Sequence, residues 1–394
     1  MSKKHIKDMD FKDKKVLVRV DFNVPLDNKC NVTNDKRIKA ALPTINYLIN
    51  HDAKVILMSH LGRPKGEKKR ELSLKPVAEK LSQIMEKDVK FVSDCVGEKV
   101  ISAVKKLRSG DVILLENTRF YPGEKKNDPE FAHKLAQSAD IFINDAFGTA
   151  HRAHASNVGV AKILPAAIGF LIEKELKYLR DSLDNPQKPF TAIFGGAKVS
   201  GKIELLERIL DKANNLLIGG AMMFTFVRAM GYETGKSLVE KDKIELANNL
   251  FDLAKEKKVQ LVIPQDTVIA KEAKEDSETK IVSVKKIPPD WMGLDIGEKT
   301  IQKYKDVISG SGTIVWNGPM GMFELDKFAT GTNEIAQALA ESKATTIIGG
   351  GDSAAAIEKI GLQDKFTHIS TGGGASLEML AGNDLPGISV IPEA

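Results

Sequence analysis

Two sets of residues in this 394-residue sequence have the types and spacing to hold phosphate. The first is rich in guanidinium and imidazole. Asp21-Phe22-Asn23, His60-Leu61-Gly62-Arg63, Arg119 and Arg152 stand at or just beyond apolar runs, and Arg37 lies in the loop after the first run. Arginine offers a planar fork that meets carboxylate or phosphate oxygens two at a time, so several converging arginines suit a small, multiply charged anion. The second set is glycine: Gly195-Gly196, Gly219-Gly220, Gly349-Gly350-Gly351 and Gly372-Gly373-Gly374. Glycine lets backbone approach a ligand closely, and the helix that follows such a turn presents unpaired amides and a favourable dipole. Lys198 and Lys202 add positive charge there, while Glu324 and Asp352 are carboxylates that a magnesium–nucleotide complex would meet.

The two sets are segregated along the chain. Six of the seven histidines and eight of the ten arginines precede residue 181, and no arginine follows Arg228. Other readings of single residues stay open at this level. Asp21 also suits a cap on the turn before Pro25, and Lys202, four residues after Lys198, also suits a solvent-facing position. Met222, Met223, Phe224 and Phe226 read as core or as an apolar wall. His151 and His154 are spaced like metal ligands, but no third ligand has suitable spacing.

FGGAKVSGKI at 194–203 imitates a P-loop. Gly196, Gly201 and Lys202 have the Walker spacing, but Ile203 lacks the hydroxyl that would meet magnesium. GYETGKS ends correctly in Gly235-Lys236-Ser237, yet only three residues separate Gly231 from Gly235. No G-x-G-x-x-G occurs, which removes the dinucleotide fingerprint and the protein-kinase loop.

These residues must be positioned by strands. Short apolar runs without strict alternation recur at 15–23, 54–62, 111–120, 140–148, 190–198, 215–223, 259–266, 312–321, 344–353 and 366–374. Such runs are expected of strands buried on both faces, as in parallel sheets. Amphipathic stretches such as DPEFAHKLAQSA and NEIAQALAESK lie between them. The alternation predicts a doubly wound α/β protein, in which ligands sit outside the carboxyl ends of the strands. LIEKELKYLRDSLDNPQKP predicts a connecting helix near 170–184, with a second domain from about 186. The charged stretch GRPKGEKKREL reads as a surface loop.

Composition narrows the function classes. The length favours two domains. A net charge of +5 suits anionic small molecules but falls short of a dedicated nucleic-acid binder. Cys30 and Cys95 have neither disulfide-framework nor zinc spacing. No secretory signal is visible, and ILPAAIGFLI at 163–172 is too short to span a membrane. A soluble cytoplasmic protein is expected, with neither nucleic acid nor membrane as partner.

VLVRVDFNVP, SHLGRP, LLENTRFYPGE, NDAFGTAHRAHAS, GGAKVSGKI, GGAMMFTF, WMGLDIG, VWNGPMGMFE, IIGGGDSAAA and STGGGASLEML, in that order, closely resemble the phosphoglycerate kinase family from about residue 5 onward. The resemblance implies two Rossmann-like doubly wound parallel-sheet domains joined by a helix, with a C-terminal segment packing back on the N-terminal domain. The expected division is 1–169, binding 3-phosphoglycerate; 170–185, the interdomain helix; 186–378, binding nucleotide; and 379–394, the returning segment. The implied activity is reversible phosphoryl transfer from 1,3-bisphosphoglycerate to ADP, giving 3-phosphoglycerate and ATP, with Mg2+ and as a monomer.

Carried over by position, the acid site comprises Asp21, Phe22, Asn23, Arg37, His60, Leu61, Gly62, Arg63, Arg119 and Arg152. The nucleotide site comprises Gly195, Lys198, Lys202, Gly219, Gly220, Gly293, Asn317, Glu324, Gly350, Gly351, Asp352 and Ser353, with Asp352 as the magnesium-associated carboxylate. Arg37 and Lys198, helped by the amides of Gly372 and Gly373, are implied to hold the phosphoryl group in flight. Most relatives carry Asp in place of Gly201, and many have a third glycine in place of Ala221. The substrates' anionic oxygens need no general base, and direct transfer between domains calls for a hinge near 170–186. Two other readings remain at this stage: a hydrolysing NTPase built on the near-miss P-loop, and a polyanion binder using the lysine-rich stretches at 1–15 and 62–75.

Overall fold

Strands buried on both faces need no polar alternation, and the recurrent apolar runs fold accordingly. In the computed structural model, which describes residues 3–394, the strands of the first half are β1 (Lys15–Arg19), β2 (Lys54–Met58), β3 (Val89–Val92), β4 (Val112–Leu115), β5 (Ile141–Asn144) and β6 (Ala166–Ile168). They form one parallel sheet in the order β3-β4-β2-β1-β5-β6. Those of the second half are β7 (Phe190–Phe194), β8 (Asn215–Ile218), β9 (Gln260–Val262), β10 (Asp266–Ala270), β11 (Thr279–Ser283), β12 (Met292–Ile296), β13 (Thr313–Asn317), β14 (Thr345–Gly349) and β15 (His368–Ile369). Six of these make a second parallel sheet, β15-β14-β13-β7-β8-β9, and the other three an antiparallel sheet, β11-β10-β12.

The chain divides into two units. One contains the residues up to Lys177 together with Asp384–Ala394; the other is Tyr178–Asn383. The helix Phe170–Asp184 runs from the first into the second. Its start is fixed by Asp145, just beyond β5, whose Oδ1 accepts the amides of Leu171 (2.9 Å) and Ile172 (3.2 Å). The amide of Phe170 donates to Thr44 Oγ1 at 3.0 Å. The returning segment pairs with the chain's beginning at Lys3 and Glu393, and Gly387 accepts from Asn144 Nδ2 at 2.7 Å.

In each parallel sheet the order reverses beside a central strand, β1 in the first and β7 in the second. The carboxyl ends flanking such a reversal leave a crevice that connecting helices cannot fill. All ten apolar runs read from the sequence contain a strand. Strands β3, β10, β11 and β12 carry no comparable signal, and β6 lies within the apolar stretch 163–172, where nothing marks it as a strand. β3 is an edge strand, β6 has three residues, and β11 is largely exposed while β12 is interrupted by Gly293 and Asp295.

Candidate functional site

In the first unit, β4, β2, β1 and β5 are adjacent and parallel, so their carboxyl ends deliver side chains to one rim. The tip of β1 turns through Asp21, whose Oδ1 accepts the amide of Asn23 at 3.2 Å and whose Oδ2 accepts Arg37 Nη1 at 2.7 Å. Asp21 therefore braces the turn after β1, as one sequence reading expects, and it also orients an arginine. The Asn23 side-chain oxygen accepts the amide of Gly62 at 2.8 Å, and the carbonyl of Gly62 accepts Arg119 Nη1 at 2.8 Å. Gly62 thus ties β1, β2 and β4 tips together. It does so at φ +62, and a Cβ there would lie 2.7 Å from Leu72 Cδ2. Phe22 and Leu61 point into the core, leaving only their backbone at the rim.

Arg63 and Arg152 are exposed, whereas Arg119 is buried and its Nε has no hydrogen-bond partner among the described residues. Burial, followed by the neighbouring charge of Arg19, lowers the Arg119 pKa to about 10. A cavity of about 610 Å3 adjoins it, and every charged residue lining that cavity is a cation: Arg63, Lys65, Arg119, Lys125, Lys126 and Arg152. Beneath the rim, His60 is buried with Nδ1 3.0 Å from Arg19 Nη2. Burial first, then the positive charges of Arg19, Arg119 and Arg37, hold its pKa well below the usual imidazole value. His154, also buried, falls to about 3, mainly through burial and then the charge of Arg119. Such a ring stays neutral at physiological pH.

In the second unit, the tips of β7, β8 and β13 come together through glycines. A Cβ on Gly195 would meet Pro319 O at 2.0 Å, and one on Gly219 would meet Met320 Sδ at 2.4 Å. These two glycines therefore serve the close passage of neighbouring turns. Gly220, at φ +61, lies against Gly196 and opens onto a cavity of about 460 Å3. Ala221, Met223, Phe224, Leu238, Met292, Leu294 and Met322 give that cavity apolar walls; Glu324 and Asp352 line it as well. Gly293 also lines it, and a Cβ there would lie 2.0 Å from Phe224 Cζ. Met222 and Phe226 are core.

Lys198 and Lys202 have opposite fates. Lys198 is exposed, while Lys202 turns inward and donates from Nζ to the carbonyl of Gly195. Burial depresses its pKa to about 8, against the pull of Asp352. The amides of Val199 (2.6 Å) and Ser200 (3.1 Å) donate to Glu240, so a carboxylate of the protein occupies the donors that a P-loop would offer to phosphate. In GYETGKS, Ser237 Oγ accepts the amide of Gly293 at 2.9 Å, while Lys236 lines the same cavity as Gly293.

Asn317 Nδ2 is buried without a hydrogen-bond partner among the described residues, beside Gly350 at φ +89. Ser353 is fully buried and its Oγ accepts the amide of Gly318 at 2.7 Å, shaping the β13 turn. Gly350 precedes the helix Gly351–Lys359, whose first turn carries Asp352, exposed. Gly373, at φ +47, precedes the helix Gly374–Leu380, and the Gly372 amide donates to Ser370 Oγ at 3.1 Å. Among the described residues no three His, Cys, Asp or Glu side chains cluster as a metal cage. Two exposed carboxylates at the cavity wall, Glu324 and Asp352, fit magnesium that arrives on a nucleotide, since this ion takes one or two carboxylates and completes its shell with phosphate and water.

Sequence reasoning missed Arg19, Glu124, Ser156 and Glu240. Arg19 reads as one more residue of a strand, and the others act at sequence separations of 32 to 137 residues, which no local pattern reveals.

The model of the family described as phosphoglycerate kinase matches residues 6–383. A phosphoglycerate kinase of Thermosipho africanus is 57% identical over 99% of this chain and 98% of that protein. One from Finegoldia magna is 55% identical over the whole of both. The solved phosphoglycerate kinase of Coxiella burnetii superposes with a TM-score of 0.89 at 42% identity, covering 98% of each chain. That of Pyrococcus horikoshii gives 0.83 at 34% identity, again over 98% of each. Sequence, fold and the segregated guanidinium and glycine tips agree: the chain belongs to the phosphoglycerate kinase family.

Proposed function

We propose that this protein catalyses reversible phosphoryl transfer between 1,3-bisphosphoglycerate and ADP, giving 3-phosphoglycerate and ATP, in the cytoplasm and as a monomer. The observation that carries the assignment of the acid site is the buried, unpartnered Nε of Arg119 beside a cavity whose charged lining is wholly cationic. A buried donor without an acceptor is costly, and an incoming carboxylate or phosphate relieves that cost. Asp21, Asn23, Arg37, His60, Arg63, Arg119 and Arg152 hold the acid substrate, with backbone from Phe22, Leu61 and Gly62. The nucleotide takes the glycine-lined cavity of the second unit. Its base lies against the apolar wall by Gly220 and Gly293, and its phosphates lie towards Lys198, Lys202, Asn317 and the turn Gly350–Ser353.

Transfer through a loose transition state demands in-line placement and spread positive charge rather than covalent help from side chains. The attacking oxygen is already anionic in either direction, so no side chain has to remove a proton. Arg37, oriented by Asp21, and Lys198, exposed, are the cations assigned to the equatorial oxygens of the moving group, with help from the backbone amides of Gly372 and Gly373. Magnesium supplies charge neutralisation on the nucleotide phosphates, and Asp352 is the carboxylate that would hold it. Excluding water matters because an acyl phosphate hydrolyses; we infer that the two units close when both substrates are bound.

The hydrolysing-NTPase reading is disfavoured by Glu240, which fills the amides of the near-miss loop. A coupled assay run with and without 3-phosphoglycerate decides the matter. ATP consumption strictly dependent on the acid supports the kinase, and acid-independent consumption overturns it.

A further inference from the structure

We propose that Arg19 is a positioning residue for this reaction: its buried guanidinium fixes His60 as a neutral ring with the proton on Nε2, so that the open edge of the imidazole is always a hydrogen-bond donor. A guanidinium has only hydrogens to give. With Arg19 Nη2 3.0 Å from His60 Nδ1, the ring nitrogen must offer its lone pair. Asp21 Oδ1 lies 4.0 Å from the same nitrogen, too far to claim a proton there. The other charged or titratable groups bearing on the ring, Arg37, Arg119 and His154, are cationic or neutral, so none favours an imidazolium.

Arg19 is itself locked. Its Nε donates to Ser156 Oγ at 2.8 Å and its Nη1 to the carbonyl of Val20. Ser156 in turn donates from Oγ (2.6 Å) and from its amide (3.0 Å) to the fully buried Glu124, whose charge compensates the guanidinium. Among the described residues Nε2 of His60 has no hydrogen-bond partner. A donor held there meets an anionic substrate at any physiological pH, whereas the other tautomer would present a repelling lone pair.

The inference rests on the proposed function in taking that open edge to face the acid substrate, and the two parts are separable by experiment. Nitrogen-15 spectra of the ligand-free, histidine-labelled full chain, with His60 assigned from His60→Gln, are expected to show Nδ1 unprotonated and Nε2 protonated, without titration between about pH 5 and 8. A proton on Nδ1, or titration in that interval, overturns the proposal whatever the substrate. Arg19→Met should give mixed tautomers or a titrating ring, and Arg19→Lys should retain more of the Nε2–H form; an unchanged Arg19→Met spectrum refutes the role of Arg19. In the coupled assay Arg19→Met should raise KM for 3-phosphoglycerate about tenfold with a smaller effect on kcat. His60→Gln, whose amide nitrogen can stand in for the Nε2 donor, should lose less affinity than His60→Asn. These two variants and the parent spectrum decide the question even where Arg19→Met fails to fold. The expected tautomer without any response of Nε2 to 3-phosphoglycerate would leave the local chemistry intact but remove Arg19 from the reaction.

Discussion

The Lys202 ammonium is bonded to the main-chain carbonyl of Gly195, just beyond β7, so backbone rather than an acidic side chain accepts from it. Burial without a direct carboxylate partner lowers its pKa to about 8. A nucleotide polyphosphate placed nearby favours the charged form. Binding of ADP near pH 8 should therefore take up a proton, and affinity should fall as pH rises through that value. Calorimetry in two buffers of different ionisation enthalpy measures the uptake; identical heats in both would contradict it, and Lys202→Met should abolish it.

Arg37 is half-exposed yet oriented by a 2.7 Å bond to Asp21, an arrangement suited to a donor that strengthens its contact only in the transition state. Arg37→Ala should lower kcat about 100-fold, comparable to losing one oxyanion donor, with KM for ADP little changed. A kcat within threefold of the parent would remove Arg37 from that role.

Gly201 lies in the turn Ser200–Lys202 before the helix Ile203–Leu210, with no atom within 4 Å of a would-be Cβ and no left-handed backbone to protect. Gly201→Asp should raise stability by about 1 kcal/mol, through a less flexible unfolded chain and a negative charge near a helix start. Thermal unfolding reads the gain; a lowered midpoint would show that glycine is needed there.

Asp145 and Asp295 are buried carboxyls whose pKa values burial pushes up to about 7. A carboxyl raised on folding binds more protons in the folded than in the unfolded state between about pH 4 and 7. Stability should thus decline as pH rises through that interval. Asp145→Asn keeps an oxygen for the Leu171 and Ile172 amides while removing the charge, so it should flatten the decline in denaturant titrations. A slope equal to the parent's would mean that Asp145 is ionised throughout.

The strand tips were legible because apolar runs ending in glycine, arginine or aspartate carry both the fold and the chemistry. Direction and depth were not. Lys198 and Lys202 share a helical spacing, yet the short turn at Ser200–Lys202 sends one outward and the other under Gly195. Arg19 sits in an unremarked strand position and proves fully buried beneath His60, sustained by Ser156 from 137 residues away. Glu240, which decides the fate of the P-loop imitation, lies about 40 residues further along the chain, just past the GYETGKS motif and outside any pattern read from the sequence.

Residues 384–394 belong to the first unit, where Asn144 at the end of β5 grips Gly387 and the Gly387 amide returns to Ala150 at 2.9 Å. During synthesis the ribosome makes every residue of the second unit before any of these contacts can form. The earlier-made half therefore gains nothing from its head start: the loop beyond β5 stays unbraced until residues 384–394 are made, so both halves are completed at nearly the same moment.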